Sequence, residues 1–156
     1  MAKDNTANDE QFSRLQNLAE SSSDTSLMML NINRYKRDAA FPDGEPYRSY
    51  MTAIERSVGA VGGLVLWRTP VQGCVVGELD AFDEVLAVWY PSHKAFLDLP
   101  NADGSREMFR YRRACVDKAH IIELSDQVPA LRPSNTCPAL PRDAHVVISN
   151  RFGVRR

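Results

Sequence analysis

Hydrophobic and polar positions along this chain fall into blocks with two distinct periods, one of two residues and one of about 3.6. Residues 27–35 alternate. Met28, Leu30 and Ile32 share one side of an extended chain, and Leu27, Met29, Asn31, Asn33 and Tyr35 share the other. The first side is apolar until Arg34, whereas the second turns polar halfway along. Tyr47, Tyr50, Met51, Ile54 and Val58 then recur at i, i+3, i+4, i+7 and i+11, which predicts a helix. Pro46 suits its first position, and Gly59, Gly62 and Gly63 end it. Residues 63–69 read as a second strand, interrupted by Pro70, with extended structure resuming over 73–79. The run from Val85 to Trp89 is apolar on both sides, as an inner strand over 84–90 requires. Pro91 has no N–H to continue a ladder, and Ser92 is a good cap for a short helix over 93–99. Residues 100–104 break that helix. Ser105 can cap a longer one running to about residue 118, with Met108, Tyr111 and Cys115 on one face. Residues 120–124 read as a last short strand.

The resulting order between residues 27 and 124, β-α-β-β-α-β, is the ferredoxin-like pattern of the α+β class: a four-stranded antiparallel sheet with helices on one face. The expectation from the alternation is that the helices cover the apolar side of strand 27–35. Asn31, Asn33 and Tyr35 would then face away from them. A sheet face flanked by a strand as apolar as 84–90 needs a cover, and a second copy of the chain supplies one. A homodimer joined through the sheet face follows, with two-fold symmetry as the commonest arrangement. It would enclose a polar-lined space between two sheets. The chain divides into a polar extension over 1–26, this domain over 27–125 and a Pro-rich tail over 126–156. The extension carries a short helix at about 9–20 followed by a serine-rich linker.

Several of these segments resemble one family. They are the stretch from Met29 to Lys36 with Asn31, Asn33 and Tyr35; Tyr47 and Tyr50; Gly62 and Gly63; and the strand ending at Tyr90 that runs through Pro91 and Ser92 to Phe96. Arg113 and Ala114 ahead of residues 121–124 complete the set. Together they resemble the dimeric α/β-barrel proteins of the domain of unknown function 1330 family. The match covers roughly residues 27–125. The resemblance implies a ferredoxin-like protomer and a barrel formed by two protomers. It implies no reaction, because the family has no agreed one.

Composition adds mainly exclusions. The apolar fraction of 44%, the charged fraction of 25% and a net charge of −1 are those of an ordinary soluble protein, with no global field to recruit nucleic acid or an anionic membrane. No apolar run is long enough to span a bilayer, and the N-terminus lacks a signal pattern. Cys74, Cys115 and Cys137 lack paired spacing, which argues for free thiols and a cytoplasmic location. No glycine-rich nucleotide loop, nucleophile elbow or zinc motif is present, so neither a cofactor nor a metal is expected. The prolines at 129, 133, 138 and 141 make the tail irregular except for a strand-like run over 144–149, which can serve as an interaction arm.

Seven side chains are candidates for chemistry. Asn31, Asn33 and Tyr35 either satisfy one another or orient a small ligand. Trp67 and Trp89 either pack or stack on an aromatic ligand. Arg113 either pairs with Asp117 one turn on or binds a ligand carboxylate. His93, beside the proline stop, is either an exposed first-turn residue or a general base, with Tyr35 the other proton-transfer candidate. Two functions follow. One is a homodimeric protein that binds a small, partly aromatic molecule inside the barrel. The other is a cofactor-independent monooxygenase- or isomerase-like enzyme acting on a small substrate. The sequence leaves open whether the chain is an enzyme.

Overall fold

The computed structural model describes residues 7–78 and 81–125. The predicted strand over 144–149 and the rest of the tail lie outside these residues. The elements in chain order are α1 (Asp9–Ala19), β1 (Leu27–Tyr35), α2 (Glu45–Ala60), β2 (Leu64–Pro70), β3 (Glu84–Tyr90), α3 (His93–Asp98), α4 (Ser105–Cys115) and β4 (Val116–Ser125). The strands form one antiparallel sheet in the order β2-β3-β1-β4. With α2 between β1 and β2, and α3 and α4 between β3 and β4, this is the ferredoxin-like topology.

The helical stripe predicted for α2 forms the centre of the core. Tyr47, Tyr50, Met51 and Val58 are buried, and Ile54 packs partly buried beside them. On the sheet they meet Leu27, Met29 and Tyr35 of β1 and Leu86, Val88 and Tyr90 of β3. The register pairs Leu27 with Tyr90, Asn31 with Leu86 and Asn33 with Glu84, so all of these side chains share one face of the sheet. That face is the one beneath the helices.

This placement corrects the expectation for β1. Asn31, Asn33 and Tyr35 lie under the helices, and the apolar set Met28, Leu30 and Ile32 lies on the opposite face, which no helix among the described residues covers. Alternation sorts residues into two faces but does not say which face the helices cover. The deciding residue is Glu84. Its register puts it beside Asn33 on a shared face, and α2 carries the tyrosine hydroxyl that a buried carboxylate needs.

Other boundaries moved for identifiable reasons. Residues 73–78 form no strand; Gly77 sits at φ +82 and Val75 and Val76 are almost fully exposed. Gly104, at φ +79, is the residue that caps α4, while the Ser105 hydroxyl donates to the Leu99 carbonyl. Helix α4 ends at Cys115, and β4 begins at Val116, four residues earlier than predicted. Nothing in the sequence there, neither glycine nor proline, marks the change.

Helix α1 is part of the structure rather than a loose extension. It packs on α3 and buries Leu15. Its N-cap is Asn8, whose side chain accepts from the Gln11 N–H at 3.1 Å.

Candidate functional site

The site grows out of the N-terminal end of β3. Glu84 is only 2% exposed. Its Oε2 accepts from the Tyr35 hydroxyl at 2.6 Å and its Oε1 from the Tyr47 hydroxyl at 2.5 Å. Tyr47 in turn accepts from the Arg68 guanidinium at 2.5 Å, and Arg68 also stands 3.7 Å from Glu84 Oε1 and 5.7 Å from the centre of the Tyr47 ring. Phe41 stacks on Tyr35 with ring centres 5.1 Å apart, which closes the network from the side. Burial, followed by the hydrogen bond to Glu84, raises the pKa of both tyrosines above the ordinary phenol range. Both phenols therefore stay protonated as donors to the carboxylate.

The same logic fixes the orientation of Asn33, which is 1% exposed. The Tyr35 hydroxyl uses its O–H to donate a hydrogen bond to Glu84, so towards Asn33 it accepts, and Asn33 Nδ2 donates to it at 3.3 Å. Asn33 Oδ1 is thereby directed elsewhere. Among the described residues no donor reaches it. Leaving a buried acceptor unpaired costs about 1–3 kcal/mol, a cost that a donor on a bound molecule would remove.

Asn33 lines a cavity of about 70 Å³ between the sheet and the helices. Asn31, Leu86 and Val88 contribute from the sheet, Tyr50 and Val58 from α2, and Met108 and Arg112 from α4. Phe96 and Phe109 add aromatic walls. Ile121, on the edge strand and 47% exposed, also borders it. Arg112 Nη1 donates to the Tyr50 hydroxyl at 3.3 Å. The volume is about half of the ~150 Å³ that an apolar cavity needs to hold benzene. A ring does not fit without movement of the walls, whereas a molecule of a few non-hydrogen atoms does.

The structure thus brings Asn31, Asn33 and Tyr35 to one side of the sheet and separates them from the other candidates. Trp67 and Trp89 lie on the face away from the helices, in register with Ala87 and Leu64 respectively, and are not among the residues that line the cavity. Arg113 is exposed. It does not pair with Asp117, because the helix ends at Cys115 and Asp117, now in β4, accepts from Arg34 Nε at 2.7 Å. The adjacent Arg112 is the one that faces the cavity. His93 is buried rather than exposed. Its Nδ1 meets Asp24 and its Nε2 meets Glu123, each at 2.8 Å, and its backbone N–H also donates to Asp24 at 2.7 Å. Arg14 of α1 completes the cluster by pairing with Glu123. With both ring nitrogens engaged and no place in the cavity wall, His93 ties α1 and its linker to the sheet.

Glu84, Arg68 and Arg112 were not among the chemical candidates read from the sequence, and Tyr47 was read there only as part of the helical stripe and the resemblance. A signal existed for Glu84 and Tyr47. A lone acid at the head of an apolar strand and a tyrosine in a buried helical stripe each need a polar partner, and they are each other's.

Comparison with known proteins finds similarity to solved structures. No family model matches this chain, and no curated protein matches it either. Among solved structures, a protein of unknown function from Rhodopseudomonas palustris is similar at 27% identity and a TM-score of 0.60, covering 76% of this chain and 93% of that one. The methylated form of that protein is similar at 28% identity and a TM-score of 0.58, over 80% of this chain and 95% of that one. A dabb family protein with a ferredoxin-like fold from Mesorhizobium loti shares 10% identity, with a TM-score of 0.48, over 65% of this chain and 96% of that one. Among the described residues, no helix is long and apolar enough to cross a membrane.

Proposed function

We propose that this chain is a homodimeric small-molecule-binding protein of the domain of unknown function 1330 kind, with its ligand held between the sheet and the helices of each protomer. The observation that carries the reading is Asn33 Oδ1, a buried acceptor without a described donor in the wall of a largely apolar cavity. The ligand has a hydrogen-bond donor for that oxygen and an apolar body against Leu86, Val88 and Val58. The volume favours a molecule smaller than the partly aromatic one expected from the sequence.

The homodimer is supported by the other side of the sheet. Leu64, Trp67 and Ile122 are 47%, 48% and 43% exposed there, flanking the half-buried Leu30, Ile32 and Trp89. An apolar surface of this extent supports an interface there, which a second copy would match by symmetry.

A thermal-shift screen of small polar compounds tests the binding reading, repeated on Asn31→Ala and Asn33→Ala. At least one compound class is expected to stabilise the wild type, with the response lost in Asn33→Ala. An equal response in both variants would place binding elsewhere. For an enzyme of the monooxygenase or isomerase type, the residues first considered for proton transfer offer little: Tyr35 is committed to Glu84, and His93 stands outside the cavity wall.

A further inference from the structure

The cavity also contains a charge. Arg112 reaches it from α4, and among the described residues its hydrogen bond goes to the neutral Tyr50 hydroxyl at 3.3 Å, a long contact for a guanidinium. None of the ion pairs among the described residues involves Arg112. A half-buried guanidinium with five donors and no carboxylate beside it lies next to an apolar space. Such a charge is stabilised by an anion, and arginine holds a carboxylate through two parallel N–H bonds. The same space is bordered by Asn33, whose buried Oδ1 has no donor among the described residues and accepts a hydrogen bond but repels a second carboxylate. The two groups therefore ask for different things from one molecule.

Resting on the small-molecule reading above, we propose that the ligand is a short carboxylate that also bears a hydroxyl or N–H donor. Its carboxylate pairs with Arg112 and its donor with Asn33 Oδ1. The cavity volume confines it to a few non-hydrogen atoms, the size class of a two- or three-carbon hydroxy acid. Tyr50 and the phenylalanine walls enclose the carbon skeleton. No bond is made or broken in this step.

Glycolate, acetate and ethylene glycol separate the requirements. They have nearly the same size, and carry respectively both groups, the charge alone and the hydroxyl alone. Each is titrated into the full-length protein labelled with nitrogen-15, reading the side-chain amide signals of Asn33 and the Nε–H of Arg112. Glycolate is expected to shift both signals and to bind at least ten-fold more tightly than either analogue. Arg112→Gln should remove that preference, and Arg112→Lys should restore part of it. If ethylene glycol binds as tightly as glycolate, the anion assignment is wrong while the cavity still binds small molecules. If acetate equals glycolate, the donor assigned to Asn33 is wrong. If no probe moves the Asn33 signal, both this inference and the cavity reading fall.

Discussion

Glu84 accepts from two phenols while buried among aromatic rings, so a substitution there cannot be absorbed by solvent. Glu84→Gln keeps the shape but offers one carbonyl oxygen where two acceptors are needed, and turns an amide N–H₂ toward a hydroxyl. We expect a loss of about 2 kcal/mol, read as a lower urea midpoint with an unchanged slope. A second prediction concerns Asp24. Burial pushes its carboxyl up, but the N–H groups of His93 and Lys94 and the His93 ring together outweigh this and leave its pKa below the ordinary 3.8. A depressed folded-state pKa means that the stabilisation is present above the unfolded value and is lost as pH falls through the folded one. Asp24→Asn should therefore be less stable than the wild type at neutral pH, and the difference should close below about pH 4. Chemical denaturation at a series of pH values checks both the sign and the window.

At the scale of elements, the turn from α2 into β2 depends on Gly63. A Cβ added there would lie 2.8 Å from the Trp89 carbonyl oxygen and 2.8 Å from Val58 Cγ1, and the backbone oxygen cannot step aside. Gly63→Ala should cost about 2 kcal/mol by overpacking, measured as a lower denaturation midpoint. Some elements were readable in advance because the chain marks their ends chemically. Strand β3 ends where Pro91 follows Tyr90, and Ser92 caps α3 by accepting from the Ala95 N–H at 3.0 Å. The α4–β4 junction was not readable, since Cys115, Val116 and Ala119 stay buried through a change of backbone period that no residue type announces. The role of α1 was hidden as well. Its anchoring depends on Arg14, Asp24, His93 and Glu123, which lie far apart in sequence and meet only once the sheet is formed.

For the whole molecule, the two faces of the sheet divide the work. The helix side holds the cavity, and the other side carries the exposed Leu64, Trp67 and Ile122, the surface proposed to meet a second copy. The sequence carried the residues of both faces but assigned them to the wrong sides, because the positions that decide the matter, Glu84 and Tyr47, act across a distance that periodicity does not see. Trp67→Glu places a charge on the apolar face, on its edge strand β2, without touching the cavity. In sedimentation velocity at micromolar concentration the wild type is expected to run as a dimer and this variant as a monomer. The Asn33 response to ligand should survive the change. A wild-type monomer under those conditions would overturn the dimer.

The pairing of Asn33 with Glu84 has a consequence for how the chain reaches its native state. Both faces of β1 begin with methionine and leucine, so hydrophobicity alone hardly distinguishes the correct alignment from one displaced by a single residue. The displaced alignment would turn Asn33 and Tyr35 together to the other face, away from Glu84 and Tyr47, leaving the Tyr35 phenol and one carboxylate oxygen without partners. The polar network thus acts as a proofreading device for strand alignment. A chain in which these four positions were made apolar would still collapse, yet it would have lost the chemical means of telling one register from its neighbour.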